Sequence, residues 1–324
     1  MTSCILYMLH LTFLTSIAAL KTGIDGFEYK FHRYNQFDDF IDWYGVLLAE
    51  KYPDVVTTEF PMNTTEMRGI PLIKISKNPE IENVIIFIEA GIHGNEWLTT
   101  AVAMYLIREL VENKENDNLI SEIDWYIAPV VNPDGYQYSF KQNRAWEKNR
   151  MNYKNCTGVD LNKNFNIHWK PTANCETSSG PTPFSEPETT FIKNEILKSE
   201  DRIKVYLSLH CCGAKILHPW GYTKDLPENI NPLLDVAQKM QKAMNSVRNT
   251  QYVIGSPSEW DNIYGSSFDW AKSVGKIDLS YMIKLAGPID NYIVPEDQII
   301  PSAKEVFEGL KAIHRHLVHM YVNN

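Results

Sequence analysis

Gly91-Ile92-His93-Gly94-Asn95-Glu96-Trp97 is the stretch around which the sequence is organised. A dense apolar run over residues 84–88 precedes it, and a helical pattern over residues 98–111 follows it. This order predicts a strand that ends in a glycine-rich turn and leads into a helix. His93 and Glu96 are three residues apart at the start of that helix, so one cation can contact both side chains. A pair of this kind is weak on its own and needs a third ligand from another segment.

The length and composition predict one enzyme-sized domain. The chain has 324 residues and shows no Ser/Gly-rich tract, charge block or repeat that would mark a linker. Strand-like apolar runs alternate with helical patterns, which predicts an α/β fold with a mostly buried sheet covered on both faces. The formal net charge of -9 is spread along the chain and argues against a nucleic-acid partner.

The N-terminus is typical of a secretory signal. Residues 5–17 are largely apolar, and Ser16-Ile17-Ala18 supplies the small residues of a cleavage site. We predict a signal peptide over residues 1–18, a domain over residues 19–324 without a pro-segment, and a secreted protein. The alternative is an N-terminal anchor, although the segment is short for a membrane span and no later stretch is long enough to be one.

The cysteines agree with an oxidising compartment. Cys156 and Cys175 flank a polar loop that a disulfide would close. Cys211 and Cys212 are adjacent, and we expect two buried thiols rather than a strained bridge between neighbours. Asn63 begins a glycosylation sequon.

Two further segments carry local signals. Asn132-Pro133-Asp134-Gly135 has the composition of a turn after a strand over residues 125–131. In the last helix, Ser302 and Glu305 fit a capping box, and the apolar residues after them step by four and three.

Six segments in order resemble the zinc carboxypeptidases of the carboxypeptidase A/B family: HGNEW, NPDG, NRAWEKNR, GVDLNKNF, YLSLH and QIIPSAKEVFEGL. The resemblance runs from about Tyr34 to the C-terminus. It implies a single three-layer α/β/α domain around a mixed sheet of about eight strands, and one zinc ion. By this resemblance His93, Glu96 and His210 are the zinc ligands.

The resemblance also implies a site for the C-terminal end of a peptide. Asn162 matches the asparagine that binds the terminal carboxylate, and Lys163 replaces the neighbouring arginine, which loses a bidentate contact. Tyr264 resembles the tyrosine that closes over substrate. Phe268 falls at the pocket floor and favours an apolar C-terminal side chain. Arg144 is a further substrate-binding candidate.

Two positions depart from the family. Lys284 stands where the family has its general-base glutamate, and Glu147 stands where it has the arginine that stabilises the oxyanion. One hypothesis is that the two residues exchange roles, and the one we favour is a structural ion pair in a site that has lost catalysis.

The family function is removal of a C-terminal, apolar residue from peptides by zinc-activated water, in a protein that we expect to be monomeric. The two substitutions predict weak or lost activity. The alternative is a non-catalytic module that binds peptide C-termini, and a third is an amidase acting on non-peptide substrates.

Overall fold

The computed structural model describes residues 29–153, 156–172, 174–199, 201–289 and 292–322. The predicted signal peptide lies outside the described residues. No helix in these ranges is both long and apolar enough to cross a membrane.

An eight-stranded mixed sheet forms the centre of the molecule, in the order β1-β2-β4-β3-β7-β10-β8-β9. The four inner strands β4, β3, β7 and β10 run parallel, and β1, β2 and β8 join antiparallel to a neighbour. The strands of the sheet are β1 (Val56–Asn63), β2 (Gly69–Ile75), β3 (Ile85–Glu89), β4 (Asp124–Ala128), β7 (Ile203–Cys211), β8 (Lys215–Leu217), β9 (Val253–Gly255) and β10 (Leu279–Leu285). A separate two-stranded ribbon consists of β5 (Asn152–Tyr153) and β6 (Cys156–Thr157).

Helices cover both faces of the sheet. They are α1 (Phe37–Phe40), α2 (Ala49–Lys51), α3 (Trp97–Val111), α4 (Pro133–Lys141), α5 (Pro187–Lys198), α6 (Ile230–Arg248), α7 (Ser267–Ser273) and α8 (Ile299–Leu317). A π-helical segment, Ile41–Leu48, joins α1 to α2, and another, Val318–Val322, follows α8. Two clusters of buried side chains occupy the two faces, which confirms the predicted three-layer α/β/α fold and its eight-stranded mixed sheet.

The NPDG tetrapeptide and the Ser302/Glu305 pair both have structures that differ from the predicted ones. The NPDG tetrapeptide begins α4 instead of closing a turn, because the Asn132 side chain accepts a hydrogen bond from Gly135 N at 2.8 Å and caps the helix. The last helix starts at Ile299, so Ser302 and Glu305 lie inside it and form no capping box. Glu305 is instead fully buried, where its carboxylate accepts hydrogen bonds from Arg248 and Tyr252.

Four cysteines lie in the described part of the chain, and they are joined in two pairs. Cys156 and Cys175 are joined, with their Cα atoms 5.3 Å apart, which confirms the predicted bridge. Cys211 and Cys212 are also joined to each other, so the expectation of two separate thiols is wrong. The exposed Asn63 is the last residue of β1.

Candidate metal centre

The turn from Gly91 to Trp97 carries His93 and Glu96 and is called the HxxE turn below. It lies where two parallel strands end side by side. β3 leads into the turn that carries His93, and its parallel neighbour β7 carries His210 near its own carboxyl end. Because such ends lie at one edge of the sheet, ligands that are far apart in sequence meet there.

Glycine is required at two places in this turn. Gly91 has φ +62°, and a Cβ there would lie 2.6 Å from Thr100 Oγ1. A Cβ at Gly94 would lie 2.5 Å from the carbonyl carbon of Gly135. The close approach lets Gly94 N donate to Glu147 O at 2.7 Å, which fixes the segment around Glu147 against the turn.

His93, Glu96 and His210 form a buried trio that could hold a metal ion. Glu96 Oε1 lies 3.1 Å from His93 Nδ1, and Glu96 Oε2 lies 3.2 Å from His210 Nδ1. One candidate ligand atom from each residue falls within 4.8 Å of the other two. The side chains are only 11%, 5% and 2% exposed, respectively.

The donor set fits zinc. Two imidazole nitrogens and a carboxylate are a usual set of three protein ligands for this ion, which leaves a fourth position open. Zinc bonds of about 2.0–2.1 Å in a tetrahedron place neighbouring ligand atoms about 3.3 Å apart, close to both contacts of Glu96. The turn and the strand end therefore preorganise the three residues for the ion.

Electrostatics favour an ionised Glu96. Burial acts to raise the pKa of Glu96, but the charges of His210 and His93 outweigh it and lower that pKa to about 2. A carboxylate that stays ionised at every physiological pH is the form that binds a cation.

Asp160 orients His93 from the opposite side, a role that the sequence analysis missed. Its Oδ1 lies 3.2 Å from His93 Nε2 and also accepts a hydrogen bond from Asn162 N at 3.1 Å. A carboxylate on the free nitrogen of a ligating histidine fixes the tautomer and the ring orientation. The acidic residue in GVDLNKNF was the available signal, since ligating histidines almost always have such a partner.

Glu147 lies beside the same nitrogen of His93. Its Oε1 is 3.6 Å from His93 Nε2, and its side chain is 44% exposed. The charge of His93 acts to lower the pKa of Glu147, but burial and the carboxylates of Asp160 and Glu96 prevail and raise it. The favoured hypothesis of an ion pair with Lys284 is wrong for this structure: within the described ranges, His93 is the one ion-pair partner of Glu147.

Lys284 occupies the strand position next to His210. In the parallel pairing of β10 with β7, Lys284 lies opposite His210, and in the antiparallel pairing of β10 with β8 it lies opposite Lys215. Residues opposite each other in a sheet project to the same face. A lysine therefore lies next to the trio, and β10 from Leu279 to Leu285 has no acidic residue.

Asn162 and Lys163 are the residues predicted to bind the terminal carboxylate of a peptide, and we call them the carboxylate clamp. Both lie beside the trio. Asn162 Nδ2 is 3.4 Å from His210 Nε2, and Asn162 Oδ1 accepts a hydrogen bond from Ser267 N at 3.0 Å. Lys163 Nζ lies 2.9 Å from Asp160 Oδ2, with 37% of its side chain exposed. Asp160 thus links Lys163 to His93.

Arg144 supports the turn. Its guanidinium donates to Asn95 O at 2.6 Å and to Tyr292 O at 3.0 Å, and it lies 3.8 Å from the ring centroid of Trp97. These contacts hold the HxxE segment from outside, so the structure gives Arg144 a positioning role near the site.

Tyr264 and Phe268, the last two predicted substrate-binding residues, form no ion pair or hydrogen bond with His93, Glu96 or His210 in the described part of the chain. Tyr264 is half-exposed; its hydroxyl accepts a hydrogen bond from Asn262 Nδ2 at 3.3 Å, and Lys170 Nζ lies 3.3 Å from its ring centroid. Phe268 is fully buried in one of the two core clusters, directly before Asp269.

Residues 42–309 match the family model described as zinc carboxypeptidase. The chain belongs to that family. It is 34% identical over 297 residues to carboxypeptidase B of Astacus astacus, covering 88% of this chain and 96% of the relative. It is 35% identical over 303 residues to carboxypeptidase O of Bos taurus, covering 88% and 79% respectively.

Solved structures of this zinc carboxypeptidase family have the same fold. Bovine thrombin-activatable fibrinolysis inhibitor, in complex with tick carboxypeptidase inhibitor, superposes with a TM-score of 0.84 at 30% identity, covering 90% of this chain and 99% of that one. Carboxypeptidase A from Helicoverpa armigera gives a TM-score of 0.85 at 27% identity, covering 96% and 81%. The predicted family and fold are confirmed.

Proposed function

We propose that this zinc carboxypeptidase family member is secreted, binds zinc in the trio, and takes up peptides with a free C-terminus and an apolar last side chain. We propose further that it hydrolyses them very slowly or only binds them. The observation that carries the second part is the lysine at position 284, in register with His210, where the reaction needs a proton acceptor.

Zinc in the trio supplies Lewis acidity toward water and toward a carbonyl oxygen. The chain must then provide a group that accepts a proton and a group that stabilises developing negative charge. A lysine ammonium is a hydrogen-bond donor and not an acceptor, so Lys284 does not meet the first need. Glu147 brings negative charge to the position where the family has an arginine, and so opposes the second.

The position of Glu147 also argues against an exchange of roles with Lys284. Its carboxylate contacts Nε2 of His93, whereas the trio converges on Nδ1 of the same ring. A base must reach the water on the metal side of the ring. Glu147 faces the opposite edge of the imidazole.

Asn162, Lys163 and Phe268 would bind the C-terminal residue of the peptide. Lys163 offers a point charge to a carboxylate rather than a bidentate fork, and it already pairs with Asp160. The clamp is therefore looser than one made by arginine. An aromatic ring at position 268 supplies no carboxylate for a basic side chain, which supports an apolar preference.

Secretion is supported by the Cys156–Cys175 disulfide, because such bonds persist in oxidising compartments. The apolar segment over residues 1–18 supports the same compartment.

The test pairs a hydrolysis assay with calorimetric binding on the zinc-loaded protein. The probes are an N-blocked dipeptide ending in phenylalanine, its C-terminal amide, and the same peptide ending in arginine. We expect the free acid ending in phenylalanine to bind best and to remain uncleaved over hours, while amidation abolishes binding. Release of phenylalanine at an ordinary enzymatic rate, about 1 per second or faster, would overturn the slow-turnover proposal. Equal binding of the amide would overturn recognition of the C-terminus.

A further inference from the structure

The imidazole of His93 has acidic partners at both nitrogens. Glu96 faces Nδ1 at 3.1 Å, while Asp160 and Glu147 face Nε2 at 3.2 and 3.6 Å. Candidate ligand atoms of His93, Glu147 and Asp160 all lie within 4.8 Å of one another. This second group shares only His93 with the zinc trio.

One proton cannot satisfy both carboxylates at Nε2. With a cation on Nδ1, the neutral ring keeps a single N–H, at Nε2. The nearer carboxylate, Asp160, is the better acceptor for that hydrogen, and Lys163 pairs with its other oxygen. Glu147 is left without a donor, and its negative charge is repelled by the carboxylate of Asp160 at the same nitrogen. A cation between Glu147 and Asp160 relieves this repulsion.

We propose that Glu147, Asp160 and Nε2 of His93 form a second divalent-cation site, bridged to the zinc trio by the His93 ring. This second-site proposal rests on the proposed binding of zinc by the trio. The ligand set of one imidazole and two carboxylates suits Zn²⁺ and related transition-metal ions. On binding, the cation replaces the Nε2 proton, which leaves to solvent, one proton for each ion bound.

The backbone around the proposed site is held in place. The main-chain oxygen of Glu147 accepts a hydrogen bond from Gly94 N at 2.7 Å, and Asp160 Oδ1 accepts one from Asn162 N at 3.1 Å. The separations of 3.2 and 3.6 Å from Nε2 are near the spacing of about 3.3 Å between ligand atoms of a tetrahedral ion. With 44% of its side chain exposed, Glu147 leaves one side open to water and to ion entry.

The site is specific to the substitution at position 147. The family's arginine there would repel a cation, whereas Glu147 provides a ligand. This makes the second site a property of this chain and separates it from the site shared with the family.

The test is the number of Zn²⁺ ions bound per chain, measured by elemental analysis after equilibrium dialysis at buffered free Zn²⁺, with calorimetry as an independent count. We expect two ions for the unmodified protein and one for Glu147→Gln, which keeps the side-chain size. Glu176→Gln is the matched control, because Glu176 is exposed and lines the same surface depression as Glu147. It should bind two.

The outcomes separate the two proposals. One ion in the unmodified protein would overturn the second site and leave the zinc trio intact. Two ions in both the unmodified protein and Glu147→Gln would overturn the assignment to Glu147. No bound ion in the unmodified protein would overturn the trio and the second site together. Circular dichroism of each variant checks that the counts refer to folded protein.

Discussion

The Nδ1 side and the Nε2 side of the His93 ring differ in what surrounds them. On the Nδ1 side, Glu96 contacts both histidines of the trio at 3.1–3.2 Å, an arrangement that fits zinc. Glu147 lies on the Nε2 side and Lys284 lies beside His210, at the positions where the family resemblance predicts an arginine and a glutamate. The ligands are fixed by strand ends and the start of a helix, so they survive changes in the groups around them. Metal binding and proton transfer therefore rest on separable residues.

The largest expected effect comes from replacing the charges at positions 147 and 284 by those that the family resemblance predicts. The Glu147→Arg/Lys284→Glu double variant gains a proton acceptor and an oxyanion donor, which are typically worth about 10²–10⁴ and 10²–10³ in rate. We expect kcat/KM for a peptide ending in phenylalanine to rise by at least about 10². Lys284→Gln is the control, since it removes the charge without supplying a base. A double variant no faster than this control would show that more than these two residues limits turnover.

The second prediction concerns Asp269, next to the predicted pocket floor. Burial raises the pKa of Asp269 to about 7, although its carboxylate accepts a hydrogen bond from Gly221 N. In the unfolded chain the carboxyl group ionises near pH 3.8. Between these values the folded state holds a proton that the unfolded state has lost, so stability falls as pH rises from about 4 to 7.

Asp269→Asn removes this pH dependence because its side chain does not titrate. We expect the loss of unfolding free energy between pH 4 and pH 7 to shrink by up to about 4 kcal/mol relative to the unmodified protein. Urea unfolding at several pH values measures it, with the exposed Asp225→Asn as control. An unchanged slope in Asp269→Asn would mean that Asp269 is ionised in the folded protein.

The third prediction tests the support behind His93. Asp160→Asn keeps the side-chain size but removes the charge that orients the ring. Loss of such an outer partner typically weakens metal binding about 10–100-fold, and we expect that loss for the zinc trio. Competition with a chromophoric chelator measures it. Affinity equal to that of the unmodified protein would contradict the positioning role of Asp160.

The smallest effect is expected at the carboxylate clamp. Lys163→Arg restores a planar fork that can bind a carboxylate with two parallel hydrogen bonds. We expect peptide affinity to rise by about tenfold or less, equivalent to roughly 1 kcal/mol. Calorimetry on the peptide acid measures the change, and its amide should show none. Weaker binding of the acid by Lys163→Arg would place the carboxylate elsewhere.

The fold and the turn from Gly91 to Trp97 could be predicted from the sequence because their signals are local, whereas His210 was assigned as the third ligand through the family resemblance. The apolar run before His93 predicts β3 with both bounds one residue too early, and the periodic pattern after Glu96 predicts α3 with its start one residue too late. Contacts between distant segments could not be read in the same way. Glu305 looked like a capping residue but binds Arg248, and the predicted Glu147–Lys284 pair depended on side-chain directions that only the packed strands define.

Diffraction at the zinc absorption edge, from crystals grown with Zn²⁺, tests the central claim most directly. We predict an anomalous peak bonded to Nδ1 of His93, to Glu96 and to Nδ1 of His210 at about 2.0–2.2 Å. Zinc bound elsewhere, with no peak between these three side chains, would contradict the account.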